Sequence, residues 1–221
     1  MVIYDIIKKN IVYVVLAGVC IIVNLIKYLF GKSSDVISPI VKLKQGNMEF
    51  MNSFGFFSSP AHVQKTKPHT IVFACSDMRA PVETLFHCNK GDIYLVRELG
   101  LYVRDDTLES LEYAISDLKI KQLIILGHTE CDAIKHVLQN RDNPATANIA
   151  KYIKYNLEND VDDLCDACIR HTSMTLLRII DQPDIIREQI KNNNLRVYNC
   201  MYHTKTGEVV FNLDQTYKFI F

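Results

Sequence analysis

From Thr70 onward, short apolar runs of strand length alternate with stretches of helical spacing. TIVFA at 70–74, IYLVR at 93–97 and QLIIL at 122–126 are rich in β-branched residues and bounded by polar turns. That is the pattern of strands covered on both faces. Between and after them, PVETLFHC at 81–88, TLESLEYAISDL at 107–118 and CDAIKHVL at 131–138 read as helices. Pro81 suits a first helical turn, and Asp106 three residues before Glu109 predicts a capping box. Such alternation predicts right-handed βαβ units around a mainly parallel sheet. RDNPAT at 141–146 is a loop, and 147–194 reads as helices broken at Gln182-Pro183. LRVYNCMYH at 195–203 and EVVFNL at 208–213 close the chain as two strands turning at Thr206-Gly207.

The amino-terminal pattern is different. Residues 11–30, IVYVVLAGVCIIVNLIKYLF, are apolar apart from Asn24 and Lys27, with Lys8, Lys9 and Lys32 as flanks. About 20 such residues span a bilayer as a helix. A cleaved signal peptide shares the basic start and apolar core, but no small-x-small site follows, so an uncleaved transmembrane anchor over residues 1–32 is expected. Lys32, Lys42 and Lys44 compete with Lys8 and Lys9, and by the positive-inside rule the domain from residue 33 to 221 is expected on the cytoplasmic side. After a polar tether at 31–38, Ile40, Val41, Leu43, Met48, Phe50 and Met51 predict an amphipathic packing helix interrupted near Gly46.

Composition narrows the function. Lys plus Arg and Asp plus Glu are 25 each, so the whole chain offers no electrostatic case for nucleic acid. Seven cysteines, an odd number in a chain of 221 residues, point to metal binding and free thiols in a reducing compartment rather than to a disulfide framework.

The candidate chemistry lies in ACSDMRAP at 74–81 and ILGHTECDA at 125–133. Each follows a predicted strand, so a parallel sheet brings Cys75, Asp77 and Arg79 to the same edge as His128 and Cys131. Two thiolates and an imidazole form a three-ligand set for zinc, leaving one tetrahedral position for solvent. Asp77 and Arg79 can act as a pair, the carboxylate accepting a hydrogen bond from zinc-bound solvent and the guanidinium fixing its orientation. Alternatively, Asp77 takes the fourth coordination position. Two thiolates neutralise the dication, which then acidifies water less than a three-histidine zinc, where the pKa is about 7. Turnover is therefore expected to rise toward alkaline pH. Cys88 and Cys200 are read as core residues.

CSDMR at 75–79, GD at 91–92, VR at 96–97, SLEYA at 110–114 and GHTEC at 127–131 together resemble the β-class carbonic anhydrases. The likeness extends from about Leu43 to Asn212 and includes Gly46, Asn47, Phe50, Tyr202, Thr206 and Gly207. It implies a zinc enzyme interconverting carbon dioxide and bicarbonate, with Cys75, His128 and Cys131 as ligands and Asp77 and Arg79 as the orienting dyad. A four-stranded parallel core with an added antiparallel strand is implied as well, in obligate homodimers or larger assemblies with active sites at the subunit interface.

Three departures stand out. Asp132 replaces the usual glycine after the second cysteine ligand, adding a side chain and a negative charge close to the metal. Glu98, Leu99 and Gly100 stand where Asn-Ala-Gly is usual, and Thr129 replaces a serine. Asp132 and Glu98 motivate a second reading, a zinc-stabilised pseudoenzyme serving as a membrane interaction module; a third keeps catalysis but hydrolyses CS2 or COS. Cys165 and Cys168 form a CxxC read as two faces of one helix, with a second metal site through His171 as the alternative.

Overall fold

The computed structural model describes residues 38–52, 67–139, 144–157, 161, 163–182 and 184–212. The chain divides into two units, residues 1–62 and 63–221. In the first, helix α1 (Pro39–Asn52) runs through Gly46 without the expected interruption. Nothing lies within 4 Å of where a Gly46 Cβ would be, so this glycine costs the helix only its own conformational entropy. Ile40, Leu43, Met48 and Met51 are exposed among the described residues. The apolar run at 11–30 and the boundary at residues 32 and 33 lie outside them. No helix among the described residues is long and apolar enough to cross a membrane.

The second unit is built on five strands in the order β2-β1-β3-β4-β5. These are β1 (Thr70–Cys75), β2 (Ile93–Glu98), β3 (Gln122–His128), β4 (Arg196–Tyr202) and β5 (Val209–Asn212). The first four are parallel and β5 is antiparallel to β4. Side chains alternate across the sheet, so Ile71, Phe73, Leu123 and Ile125 enter one core while Val72, Ala74, Ile124 and Leu126 enter a second on the opposite face. Both faces are therefore covered, which is why β1 and β3 are continuous apolar runs.

The connecting helices are α2 (Val82–Leu85), α3 (Asp105–Ser116), α4 (Asp132–Leu138), α5 (Ala147–Leu157), α6 (Leu164–Asp181) and α7 (Asp184–Lys191). The break at Gln182-Pro183 falls between α6 and α7, as expected. PVETLFHC is a single turn rather than a longer helix, because His87 adopts a φ of 48° and ends it. Cys88, just beyond, is half-buried instead of in the core, whereas Cys200 is fully buried. Helix α3 starts at Asp105, two residues before the expected start; the Thr107 hydroxyl accepts from the Arg104 N–H in place of an Asp106–Glu109 box.

Helix α6 is anchored at its start by Asp163, whose carboxylate accepts the N–H groups of Cys165 and Asp166 at 2.8 and 3.0 Å. It lies so close to β3 that a Cβ on Gly127 would come within 2.0 Å of the Thr172 Oγ1. Gly127→Ala is thus expected to cost about 3 kcal/mol by forcing helix and strand apart. Denaturant unfolding at an unchanged midpoint would contradict that contact.

Candidate metal centre

The carboxyl ends of β1 and β3 lie side by side, with Ala74 in register with Leu126. Cys75 is the last residue of β1, His128 the last of β3, and Cys131 precedes the first turn of α4. The sulfurs of Cys75 and Cys131 and a ring nitrogen of His128 all lie within 4.8 Å of one another, and the three residues are 2%, 3% and 3% exposed respectively. Tetrahedral zinc with Zn–S bonds of about 2.3 Å sets its sulfurs about 3.8 Å apart. The donors are close enough to meet that geometry with small side-chain movements.

The tautomer of His128 fits this use. Its Nδ1 lies 3.0 Å from the Thr129 carbonyl, an acceptor, so Nδ1 carries the proton. Nε2 is then a bare lone pair, buried without a hydrogen-bond partner. A buried orphan of this kind is costly unless something coordinates it. With two sulfurs beside it, the donor set fits zinc.

As free thiols the cysteines are unequal. The Cys131 thiol facing the Cys75 sulfur, together with His128 and the Gly100 N–H, holds Cys75 below the usual thiol range despite burial. The same contact, reinforced by burial, pushes Cys131 up. Burial alone would lower His128, but the neighbouring Cys75 sulfur outweighs it and the imidazole is raised. Metal entry must therefore displace protons. Zinc affinity, measured by chelator competition, is expected to fall about tenfold or more per pH unit on acidification below neutrality. A pH-independent affinity would contradict a protonated Cys131.

Asp77 and Arg79 meet in a closed fork. Arg79 Nη2 donates to Asp77 Oδ2 at 2.6 Å, Nε to Oδ1 at 3.0 Å, and the Arg79 backbone N–H to Oδ1 at 2.8 Å. The Arg79 guanidinium first, with its backbone N–H, draws the Asp77 carboxyl down to about 2. Oδ2 lies 3.9 Å from His128 Nε2, so the carboxylate faces the same space as the three donors. Arg79 also donates to the Glu130 carbonyl at 3.0 Å, tying the dyad to the loop that carries Cys131.

Several supporting residues had no role in the sequence reading. Arg97, at the end of β2, donates to the carbonyls of Cys75 and Asp77 and fixes the loop between them. Its place in a strand-end VR motif was the available signal. Thr204 donates its N–H to the Thr129 hydroxyl at 3.1 Å and its own hydroxyl to Glu130 at 3.1 Å, bracing the ligand loop from the turn after β4. Two of the departures resolve into ion pairs. Asp132 is 68% exposed and 3.6 Å from Arg79, and Glu98 meets Arg104 at 3.1 Å. Cys165 is exposed and Cys168 buried, on two faces of α6. Among the described residues, only Cys75, His128 and Cys131 cluster as potential ligands.

Fold and donor set together define an α/β protein with a three-donor set suited to zinc at the carboxyl edge of a parallel sheet. The family model for carbonic anhydrase matches residues 70–209. The chain belongs to the carbonic anhydrase family, in its β class. It is 33% identical over 116 residues to a carbonic anhydrase of Mycolicibacterium smegmatis, a match covering 50% of this chain and 56% of that enzyme. The chain thus spans about half the length of that relative. Its fold resembles a β-carbonic anhydrase of Aspergillus fumigatus, with a TM-score of 0.66 at 18% identity over 81% of this chain and 91% of the other. Tetrameric β-carbonic anhydrases from Sordaria macrospora give a TM-score of 0.62 at 21% identity, over 87% and 99%.

Proposed function

We propose that this protein catalyses the reversible hydration of carbon dioxide to bicarbonate and a proton. The observation that carries it is the buried Cys75, His128 and Cys131 donor set opening onto the Asp77–Arg79 fork. Cys75, His128 and Cys131 hold zinc. The metal, when bound, supplies a Lewis acid that acidifies a water for attack on the neutral gas. Asp77, ionised and therefore an acceptor only, orients the donor that faces it, while Arg79 keeps the carboxylate from turning away. Arg97 holds the Cys75 and Asp77 carbonyls in place behind them.

Asp132 and Glu98 do not argue against catalysis, because their carboxylates pair with arginines. Activity rising toward alkaline pH is expected, since two thiolates neutralise the dication. Stopped-flow CO2 hydration on purified protein, with Cys75→Ala as control, tests the reading. Zinc-loaded protein no faster than the variant overturns it in favour of an interaction module, and CS2 and COS belong in the same substrate panel.

We further propose that residues 1–32 anchor the domain formed by residues 33–221 to a membrane through the run at 11–30, with that domain on the cytoplasmic face. The length of the run and the lysines around it support this. Release from membranes by alkaline carbonate would contradict the anchor. Assembly as a homodimer or larger is supported by the tetrameric Sordaria macrospora enzymes. Light scattering reading a monomer would oppose it.

A further inference from the structure

The geometry points to His171 as a positioning residue for the metal centre, acting on the Cys75 sulfur through the backbone of Gly100. Gly100 lies in the 3-10 turn Leu99–Leu101 that follows β2, and its N–H donates to Cys75 Sγ at 3.3 Å. Its carbonyl oxygen is 2.7 Å from His171 Nε2. A carbonyl only accepts, so Nε2 carries the proton. Nδ1 is then an acceptor, and Asn156 Nδ2 donates to it from 3.2 Å. The imidazole is completely buried, neutral because burial pushes it down to about 4, and Tyr152 packs edge-on against it at 5.6 Å.

The two Gly100 groups belong to successive peptide units joined at its Cα. His171 therefore acts by geometry, not by polarising the N–H that meets sulfur. Gly100 sits at φ +61°, and a Cβ there would press within 3.1 Å of Ala133 and Ile153, so the position requires glycine. Glycine by itself leaves the peptide free to rotate. Pinning its carbonyl to a rigid helix fixes the direction of the preceding N–H and hence the donor strength of the thiolate. Thr172, the next residue, seats the same turn of α6 against Gly127, beside His128. One helical turn thus sets two of the three ligands.

This inference rests on the metal site proposed above, and the test separates the two. Cobalt-substituted protein reports the sulfur through its thiolate-to-metal charge-transfer band. A hydrogen bond lowers the sulfur lone pair, so losing it moves the band to longer wavelength. His171→Phe is expected to shift the band and weaken zinc, by chelator competition, about tenfold or more. His171→Gln, whose amide can still donate to the Gly100 carbonyl, should restore most of both. Leu176→Ala, a destabilising change elsewhere on α6, should lower the melting temperature and leave the band in place. If His171→Phe does not fold, His171→Asn, too short to reach the carbonyl, takes its place with the same expectation. Wild-type protein lacking any thiolate band overturns the metal site and the inference together. A wild-type band that His171→Phe or His171→Asn leaves unmoved, with zinc affinity unchanged, overturns the inference alone.

Discussion

Changing His128 to alanine is expected to strip the protein of stoichiometric zinc and reduce CO2 hydration to the rate of the buffer. The reason is coordination number. Three protein donors are the minimum that leaves a single open position, and removing the imidazole leaves two thiolates with solvent on the other sides. Among the described residues no substitute joins the cluster, and Asp77 is engaged by Arg79 through both carboxylate oxygens. A purely structural histidine would behave differently. His128 is 3% exposed and its Nδ1 proton goes to Thr129, so such a residue would on truncation lower stability and leave metal content alone. Elemental analysis separates the two. A zinc-to-protein ratio near one in folded His128→Ala would remove this residue from the site and the catalytic reading with it.

The strand ends were legible in the sequence because β1 and β3 are buried on both faces, so their apolar runs announce themselves and the residues that follow are forced to one edge. Cys75, His128 and Cys131 could therefore be placed together from their positions at the ends of predicted parallel strands. The fifth strand was legible as well, in the EVVFNL run that follows the Thr206-Gly207 turn, and the family likeness added its antiparallel place beside a four-stranded parallel core. What escaped were contacts made by backbone atoms. Gly100 reaches Cys75 through its N–H and His171 through its carbonyl, and nothing in a sequence marks which carbonyl a buried histidine will meet. Asp132 was read as a charge close to the metal, but chain order did not mark its partner. At the start of α4 its largely exposed side chain meets Arg79 of the dyad. The longer helix expected at Pro81 failed for a local reason, the left-handed His87 that stops it after one turn.

Asp77→Asn is expected to lower kcat/KM about 10²-fold while leaving zinc affinity close to that of the wild type. The carboxylate takes no part in the three-donor cluster, and its Oδ2 stands 2.6 Å from Arg79 Nη2 against 3.9 Å from His128 Nε2. Its work is to accept a hydrogen bond in a fixed direction. Asparagine keeps the shape but presents an NH2 where an acceptor is needed, and it loses the charge that holds the guanidinium fork. With Asp77 drawn from 3.8 down to about 2, the residue is ionised at every pH at which the enzyme works. An alkaline rise in activity therefore belongs to another group, and Asp77→Asn should lower the plateau without moving the midpoint. The sign at low pH follows from the same shift. A folded pKa below the unfolded one contributes stability above about 4 that is lost as pH falls toward 2, so acid should destabilise wild type more steeply than Asp77→Asn through this interval. If Asp77 instead occupied the fourth coordination position, the variant would lose zinc affinity and alter the cobalt spectrum as a ligand change does. That outcome would reassign Asp77 from orienting residue to ligand, and the contrast with Arg79→Lys, which breaks the fork but keeps the carboxylate, makes the two roles distinguishable in one set of measurements.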